Sequence, residues 1–425
     1  MSTKINIKNE IIGGITTFFT MSYIVVVNPS ILSTPGTGMQ FSGVLTATVL
    51  LCFAMTLLMG LYAKLPFGVA PGMGINAFFT FNLILGKKIP WPIALGAVFW
   101  AGVFFLLISI TPLRVKVANA IPKTLRIASA AGIGIFLTFI GLKNAGFISA
   151  DPVTFVKMGP MGTPSFLFLA GIALIVFFMN KKSSLAFIIG IASITLISIL
   201  LGATSIPKDV FSLPDFSSVF LKLNLKDSLN LALAPAIFAF LFTDFFDSIS
   251  TFVGVSHATG LVDKKGDAKN LKEGLIVDAL ATMSAGLLGT SSGTAYIESS
   301  AGIEAGARTG LSAVITALCF LPCLFIGPLA SMVPAYATAP VLVIVGALMF
   351  RCITELPTKK LEELLPAYLT VVLIPLTFSI TQGLLWGFIS HVVLMSLSGR
   401  RKELNPTLLI VSIISIFMLW LEHRS

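Results

Sequence analysis

Charged side chains are scarce in this sequence. Lys, Arg, Asp and Glu make up 11% of its 425 residues, whereas a soluble domain has about 25%. Hydrophobic residues make up 56%, and the mean hydropathy is +0.98. A soluble fold of this size could not cover so much apolar surface with so few polar side chains. The composition therefore excludes a soluble protein and indicates a chain whose solvent is the lipid bilayer.

Histidine and cysteine are also rare. The chain has three histidines and four cysteines, and they do not have the spacing of a metal site. Cys52, Cys319, Cys323 and Cys352 lie in or beside apolar runs, which is typical of small core residues. We therefore expect no metal and no cofactor.

The formal net charge is +10, with 28 Lys and Arg against 18 Asp and Glu. In membrane proteins such an excess marks the cytoplasmic loops, which accounts for the charge better than a nucleic-acid surface does. With the N-terminus in the cytoplasm, Lys8, Lys64 and Lys181 fall inside, and the uncharged loops 33–42 and 333–337 fall outside. The sequence predicts a multi-pass protein of the cell (inner) membrane, with the lipid bilayer and not nucleic acid as its partner.

Apolar runs of membrane-spanning length follow one another along the chain. A spanning helix needs about 20 mainly apolar residues. The candidate spans are 11–32, 43–63, 67–85, 92–112, 125–147, 165–180, 184–203, 231–256, 270–289, 291–308, 309–332, 338–353, 364–380 and 383–397, with a further apolar segment at 406–422.

A more polar stretch divides the chain into halves of similar length. About seven candidate spans lie on each side of it, and because seven is odd the second half starts from the opposite face of the membrane. This is the geometry of an inverted repeat. We expect a first repeat at 1–203, a connecting loop at 204–230, a second repeat at 231–397, and a C-terminal hydrophobic segment with a tail at 398–425.

Each half contains one span interrupted by glycines. These are 68–76 (GVAPGMGIN) and 289–298 (GTSSGTAYIE). Proline and repeated glycine leave backbone groups unpaired, which is tolerated at membrane depth only where protein or a cavity surrounds them. We expect each segment to form a short strand followed by a half-helix, so that the two meet around a polar site. Glycines that serve close helix packing are the alternative.

Several acids lie within the apolar runs, where a charge is costly and indicates function. Asp247 and Glu298 are the strongest candidates for a direct role. Asp244 lies nearly one helical turn before Asp247 and could face the same site or make structural hydrogen bonds. Asp278 is expected to pair within the scaffold.

Two further sets of side chains near these segments admit simpler interpretations. Glu304 and Arg308 have the spacing of an ion pair on one helix. Phe78, Phe79 and Tyr296 could stack on a flat ligand or merely pack in the core.

Four ordered motifs carry a resemblance to a known family. They lie at 16–29 (TTFFTMSY to VNP), 70–79 (APGMGINAFF), 245–248 (FFDS) and 289–310 (GTSS to GARTG). With these motifs the chain resembles the adenine–guanine–hypoxanthine (AzgA-like) permease branch of the nucleobase–cation symporters. The resemblance implies an all-α membrane fold of about fourteen segments in two inverted repeats of seven, as in the uracil transporter, with short strands in the third and tenth segments and with core and gate domains.

The resemblance also implies which residues bind the substrate. Carried over by motif, the two binding acids are Asp247 and Glu298. The uracil-transporting relatives have a histidine one turn after the first acid, where this chain has Thr251, so proton coupling falls to the two acids themselves. The backbone around Met73, Gly74 and Ile297 is expected to supply further contacts, with support from Asp244, Asn76, Thr294 and Tyr296.

The predicted function is therefore import of adenine, guanine or hypoxanthine by proton symport with alternating access. Sodium in place of the proton, the preferred purine and a homodimer are left open. An anion transporter of the same architecture is one alternative, although acids at the site would repel an anion. An intramembrane aspartyl protease is a remote one, because Asp244 and Asp247 share one helix whereas a catalytic dyad needs acids from two segments.

Overall fold

Helices make up most of the chain. The computed structural model describes residues 6–114, 121–262, 268–356 and 360–422. The helices are α1 Ile7–Met21, α2 Ile24–Leu32, α3 Phe41–Leu58, α4 Met73–Ala77, α5 Trp91–Ile110, α6 Lys123–Asn144, α7 Thr163–Asn180, α8 Ala186–Leu200, α9 Ala234–Thr259, α10 Leu271–Leu288, α11 Ser299–Glu304, α12 Gly310–Phe320, α13 Gly327–Ser331, α14 Ala335–Phe350, α15 Leu361–Leu376, α16 Ile380–Leu397 and α17 Pro406–Glu422. The strands are β1 Val69–Pro71, β2 Ile148–Asp151, β3 Phe155–Met158 and β4 Gly293–Ala295.

Many of these helices suit a membrane. Within the described part of the chain, eight helices are long and apolar enough to cross one, and four shorter apolar helices accompany them. The shorter ones include Met73–Gly86 and Gly310–Phe325, where a broken or composite segment replaces one straight helix. The chain is thus a multi-pass membrane protein. The count of fourteen segments and the bounds of the four predicted regions remain predictions. Residues 1–5, 115–120, 263–267, 357–359 and 423–425 of those regions lie outside the described ranges.

The two glycine-rich segments meet as predicted. Strand β1 pairs antiparallel with β4 in the register Val69↔Ala295, Ala70↔Thr294 and Pro71↔Gly293. Backbone hydrogen bonds extend the pairing at both ends, because the Gly72 N–H donates to the Ser292 carbonyl at 2.9 Å and the Tyr296 N–H donates to the Gly68 carbonyl at 2.9 Å. Pairing satisfies polar backbone groups that lipid could not.

A short helix follows each strand. After β1, α4 begins at Met73 and continues as a π-helix from Phe78 to Gly86. After β4, α11 runs from Ser299 to Glu304 and ends before Gly306, whose φ of +115° lies in the left-handed region that glycine tolerates. The prediction of a strand followed by a half-helix is confirmed in both halves.

The helices form two groups. The first surrounds the paired strands: α1 packs on α11 and α12, α3 on α2, α10 and α12, and α5 on α9 and α10. The second consists of α6, α7, α8, α14, α15 and α16, with α6 packed against α14 and α15. Hereafter these are the strand group and the outer group.

Two features differ from the predicted spans. The first span, 11–32, is interrupted at residues 22–23, where α1 ends and α2 begins. An unpredicted hairpin of β2 and β3 also follows α6. Its turn is held by the Asp151 carboxylate, which accepts the N–H groups of Thr154 at 3.0 Å and Val153 at 2.9 Å, and these bonds lower the pKa of Asp151 to about 2. Each strand has only four residues, and β3 (FVKM) lacks the alternating pattern by which sequence reveals a strand.

Candidate functional site

A central cavity of about 280 Å³ lies between the two helix groups. Its volume is close to the lower end of the range of ligand sites, about 300 Å³. One wall comes from the strand group, through the residues around β1 and β4 and one face of α9. The other wall comes from α6 and α14 of the outer group. Such an arrangement encloses a small molecule between two bodies.

Most of the predicted site residues line this cavity. Asp247 and Thr251 reach it from α9, and Glu298 reaches it from the start of α11. The other predicted residues along its wall are Met73, Gly74, Thr294, Tyr296 and Ile297. The structure thus brings together two acids that are 51 residues apart in sequence.

Asp244 lies behind strand β4 and does not line the cavity. Its carboxylate accepts a hydrogen bond from Ser292 at 2.8 Å and another from Thr282, and the side chain is fully buried. Asp278, also fully buried, accepts the Ala295 N–H at 3.0 Å. The expected scaffold role of Asp278 is confirmed, and of the two roles left open for Asp244 the contacts favour structural hydrogen bonding.

Asn76 likewise supports the site from outside the cavity. It is fully buried, and its side-chain oxygen accepts a hydrogen bond from Ser291, just before β4. In addition, the Tyr296 hydroxyl donates to the Pro71 carbonyl at 2.5 Å. These two contacts join the glycine-rich segments through side chains as well as through the strand pair.

Tyr23 is a site residue that sequence reasoning missed as a candidate. Its hydroxyl donates to Glu298 Oε1 at 2.7 Å, its side chain is 1% exposed, and it lies at the break between α1 and α2. It also lines the cavity. A tyrosine in an apolar run looks like a packing residue, and only the interruption of the first span would have revealed it.

Of the two interpretations left open for Phe78 and Phe79, the structure favours packing in the core. Phe78 and Phe79 are 1% and 0% exposed and pack in the core, where Phe78 contacts Phe240 with ring centroids 5.2 Å apart. They do not line the cavity, whereas Phe242, Phe246 and Tyr296 do. Phe78 and Phe79 lie in the π-helix that continues α4.

The prediction of an ion pair between Glu304 and Arg308 is wrong. Arg308 donates its guanidinium N–H groups to the carbonyls of Ile303 and Ala307, and Glu10 accepts the Arg308 backbone N–H at 3.0 Å. Because α11 ends at Glu304, the two residues do not share a continuous helix face, and no ion pair joins them in the described part of the chain.

Comparisons with known proteins identify the family. The Xan_ur_permease model, described as a permease family, matches residues 8–385. This chain belongs to that permease family. The recognition predicted from the four motifs is thereby confirmed. Because the relatives are named permeases, the protein is a transporter and the protease alternative is excluded.

Relatives match almost end to end. A putative permease of Methanocaldococcus jannaschii is 43% identical over 96% of this chain and 94% of its own length. The adenine permease AdeP of Escherichia coli is 40% identical over 96% of this chain and 92% of its own. The guanine/hypoxanthine permease PbuO of Bacillus subtilis is 38% identical over 98% of each chain.

A solved structure shares the fold. The transmembrane domain of the cyanobacterial bicarbonate transporter BicA superposes with a TM-score of 0.67 at 20% identity, covering 90% of this chain and 97% of that one. At this identity the likeness concerns the fold alone.

Proposed function

We propose that this protein imports a purine nucleobase by proton symport with alternating access across the cell (inner) membrane. One observation carries the proposal: Asp247 on α9 and Glu298, which follows strand β4 in the sequence, line a single cavity. The names of the relatives, which are adenine and guanine/hypoxanthine permeases at 38–40% identity, support a purine as the substrate.

The chemistry of the cavity suits a flat nitrogenous ring. Carboxylates accept N–H groups, and a ring with two adjacent donors can meet a carboxylate in a planar, two-point contact. Tyr296 and Phe246 line the same space and offer aromatic surface for the faces of the ring. The Met73 and Gly74 backbone at the start of α4 adds N–H donors of a helix N-terminus.

The same two acids are the proposed carriers of the coupling proton. A carboxylate within a membrane segment is costly, and a proton removes that cost while the site changes its exposure. Thr251, one turn after Asp247, has no titratable group, so coupling must use Asp247 or Glu298. Sodium held by these oxygens is the competing coupling ion.

The two walls of the cavity support alternating access. The acids and both strands belong to the strand group, whereas α6 and α14 belong to the outer group. Movement of one group against the other exposes the cavity to alternate sides while the strand pair keeps the acids in place.

The test is uptake of radiolabelled adenine, guanine, hypoxanthine and uracil into cells that lack their own purine carriers. We expect purine uptake that a protonophore abolishes and that sodium removal leaves intact. Glu298→Ala and Asp247→Ala should reduce uptake to background, because each leaves buried polar groups without a partner. Membrane quantities of each variant are measured in parallel.

Glu304→Ala is the matched control, since Glu304 is an exposed acid on the same short helix as the Glu298 site. It should transport normally. Full transport by either cavity variant would overturn the assignment of the acids. Uptake of bicarbonate or sulfate without purine uptake would favour the anion transporter.

A further inference from the structure

One cation faces the two acids across the central cavity. Among the described residues that line it, Arg126 is the only one with a fixed positive charge. It lies in the first turn of α6, and Ser129 and Ile133 follow it on the same helix face and along the same wall. Arg126 therefore belongs to the outer group, and Asp247 and Glu298 belong to the strand group.

The Arg126 guanidinium has few partners within the protein. It lies over the ring of Phe246, with Cζ 5.9 Å from the centroid. Its Nε is buried and has no hydrogen-bond partner in the described part of the chain. A guanidinium has five N–H donors in a planar fork, and donors removed from water are costly unless an acceptor meets them. The arrangement suits a ligand that brings acceptors to this wall.

Asp247 and Glu298 do not supply the acceptors that the Arg126 guanidinium lacks. Glu298 accepts from Tyr23, and in the described ranges no ion pair joins Arg126 to Asp247 or Glu298. The cavity thus has carboxylate acceptors on one wall and guanidinium donors on the other. A molecule that bridges them must present N–H donors on one edge and acceptors on another.

On the edge that includes N7, purine bases differ at one position, the group on C6. Guanine presents acceptors at O6 and N7, the pattern that arginine recognises with two hydrogen bonds, and hypoxanthine has the same two atoms. Adenine presents an N6 amino donor beside N7, a pattern that suits asparagine or glutamine. A guanidinium placed opposite that amino group would set donor against donor.

We propose that Arg126 is a specificity-determining residue that selects 6-oxopurines over adenine by donating to O6 and N7. This rests on the proposed function and narrows its substrate to guanine and hypoxanthine. The ring N–H groups of the same base then donate to Asp247 and Glu298 on the opposite wall. Phe246 contacts the guanidinium and holds the guanidinium plane beside the base.

The test compares the KM values of hypoxanthine and adenine uptake in the wild type and in Arg126→Gln. The wild type should favour hypoxanthine by about tenfold or more, the discrimination expected of one good bidentate contact. Arg126→Gln should lose most of its affinity for hypoxanthine and keep or gain affinity for adenine, because a glutamine amide matches N6 and N7. Arg126→Lys, which keeps the charge without the fork, should show an intermediate preference.

Arg401→Gln is the matched control, because Arg401 is exposed and does not line the cavity. Its preference should equal that of the wild type. If the Arg126 variants fail to reach the membrane, thermal stabilisation of the purified wild type by hypoxanthine and by adenine decides, and equal stabilisation would overturn the proposal.

The outcomes separate this proposal from the broader one. A wild type that prefers adenine, or a glutamine variant that weakens both bases equally, refutes selection by Arg126 while purine transport stands. If no purine is transported or bound at all, the proposed function itself fails.

Discussion

At the scale of single residues, Tyr23 shows how the site is held. Its hydroxyl contacts Glu298 Oε1 at 2.7 Å, and its ring packs on Phe187 with centroids 4.8 Å apart. The contact fixes one carboxylate oxygen and leaves the other for a ligand. Because a hydroxyl can donate or accept, the bond can persist whether or not Glu298 carries a proton. Tyr23 is therefore a positioning residue for the acid.

We predict that Tyr23→Phe raises the KM for purine uptake about tenfold, because a hydrogen bond to a charged group contributes about 1.5–3 kcal/mol. The maximal rate should fall much less, and the pH profile of uptake should change since Glu298 loses a partner. Initial rates across substrate concentration and pH measure both. Tyr336→Phe is the control, because the Tyr336 hydroxyl bonds to Ser198 outside the cavity. An unaltered KM and pH profile in the Tyr23 variant would refute the positioning role.

Residue identity alone pointed to Asp247 and Glu298, because an acid in an apolar run is costly and stands out. Residue identity did not distinguish Asp244 from these two acids, because Asp244 also lies in an apolar run. In the structure Asp244 hydrogen-bonds to Ser292 behind strand β4. Side chains three positions apart on a helix differ in direction by most of one revolution. The residues that each of them contacts come from segments that are distant in the sequence. Sequence spacing therefore left both roles of Asp244 open.

At the scale of elements, close backbone contacts hold the strand group together. A Cβ at Gly310, the first residue of α12, would lie 2.0 Å from the Gly60 carbonyl oxygen and 3.0 Å from the Gly60 Cα. Both obstacles are backbone, which cannot rotate away as a side chain could. Small residues at membrane helix contacts serve this close approach.

Gly310→Ala should accordingly destabilise the protein by about 1–3 kcal/mol, the usual cost of overpacking. Thermal unfolding of the purified protein in detergent, followed by circular dichroism, measures the change. Gly254→Ala in α9 is the control: a Cβ there meets nothing within 4 Å, and alanine favours a helix interior. Its melting temperature should be unchanged or higher. Equal melting temperatures for the two variants would contradict the packing argument.

Element prediction was most accurate where backbone chemistry is restrictive. Pro71 and the flanking glycines cannot continue a lipid-facing helix, so an interruption was required, and β1 and β4 supply it. The β2–β3 hairpin was missed because its residues carry no comparable restriction. Its geometry depends on the Asp151 side chain accepting two backbone N–H groups, which is a local hydrogen-bonding choice.

At the scale of the whole molecule, the strand group and the outer group meet beside the β1–β4 pair. Gly74 lies in α4, which follows strand β1 of the strand group. A Cβ at Gly74 would lie 2.3 Å from Ile133 Cγ2 on α6, so the strand group and the outer group touch next to the cavity. Within the outer group, a Cβ at Gly134 of α6 would lie 2.4 Å from the Gly346 carbonyl oxygen of α14. Close packing within a group and a side-chain contact between groups suit movement of one body against the other.

Orientation in the membrane provides a prediction at this scale. With a cytoplasmic N-terminus, the 33–40 loop faces outside and the turn after α7 faces inside. A cysteine at the exposed position Gln40 should react with an impermeant maleimide in intact cells, and one at the exposed Lys182 should react only after permeabilisation. The native cysteines are first replaced with serine. Labelling in the reverse pattern would invert the topology.

The sequence by itself determined that this is a membrane protein, where its two spans are interrupted, to which family it belongs, and that Asp247 and Glu298 are the acids to consider. Each depends on a strong local constraint: apolar length, proline and glycine chemistry, motif order, or the cost of a buried charge. Only the tertiary structure decided that Tyr23 holds Glu298, that Asp244 lies behind β4, and that Arg126 faces the acids from the outer group. Those relations join segments that are distant along the chain, and distance along a chain carries no information about which helix faces meet.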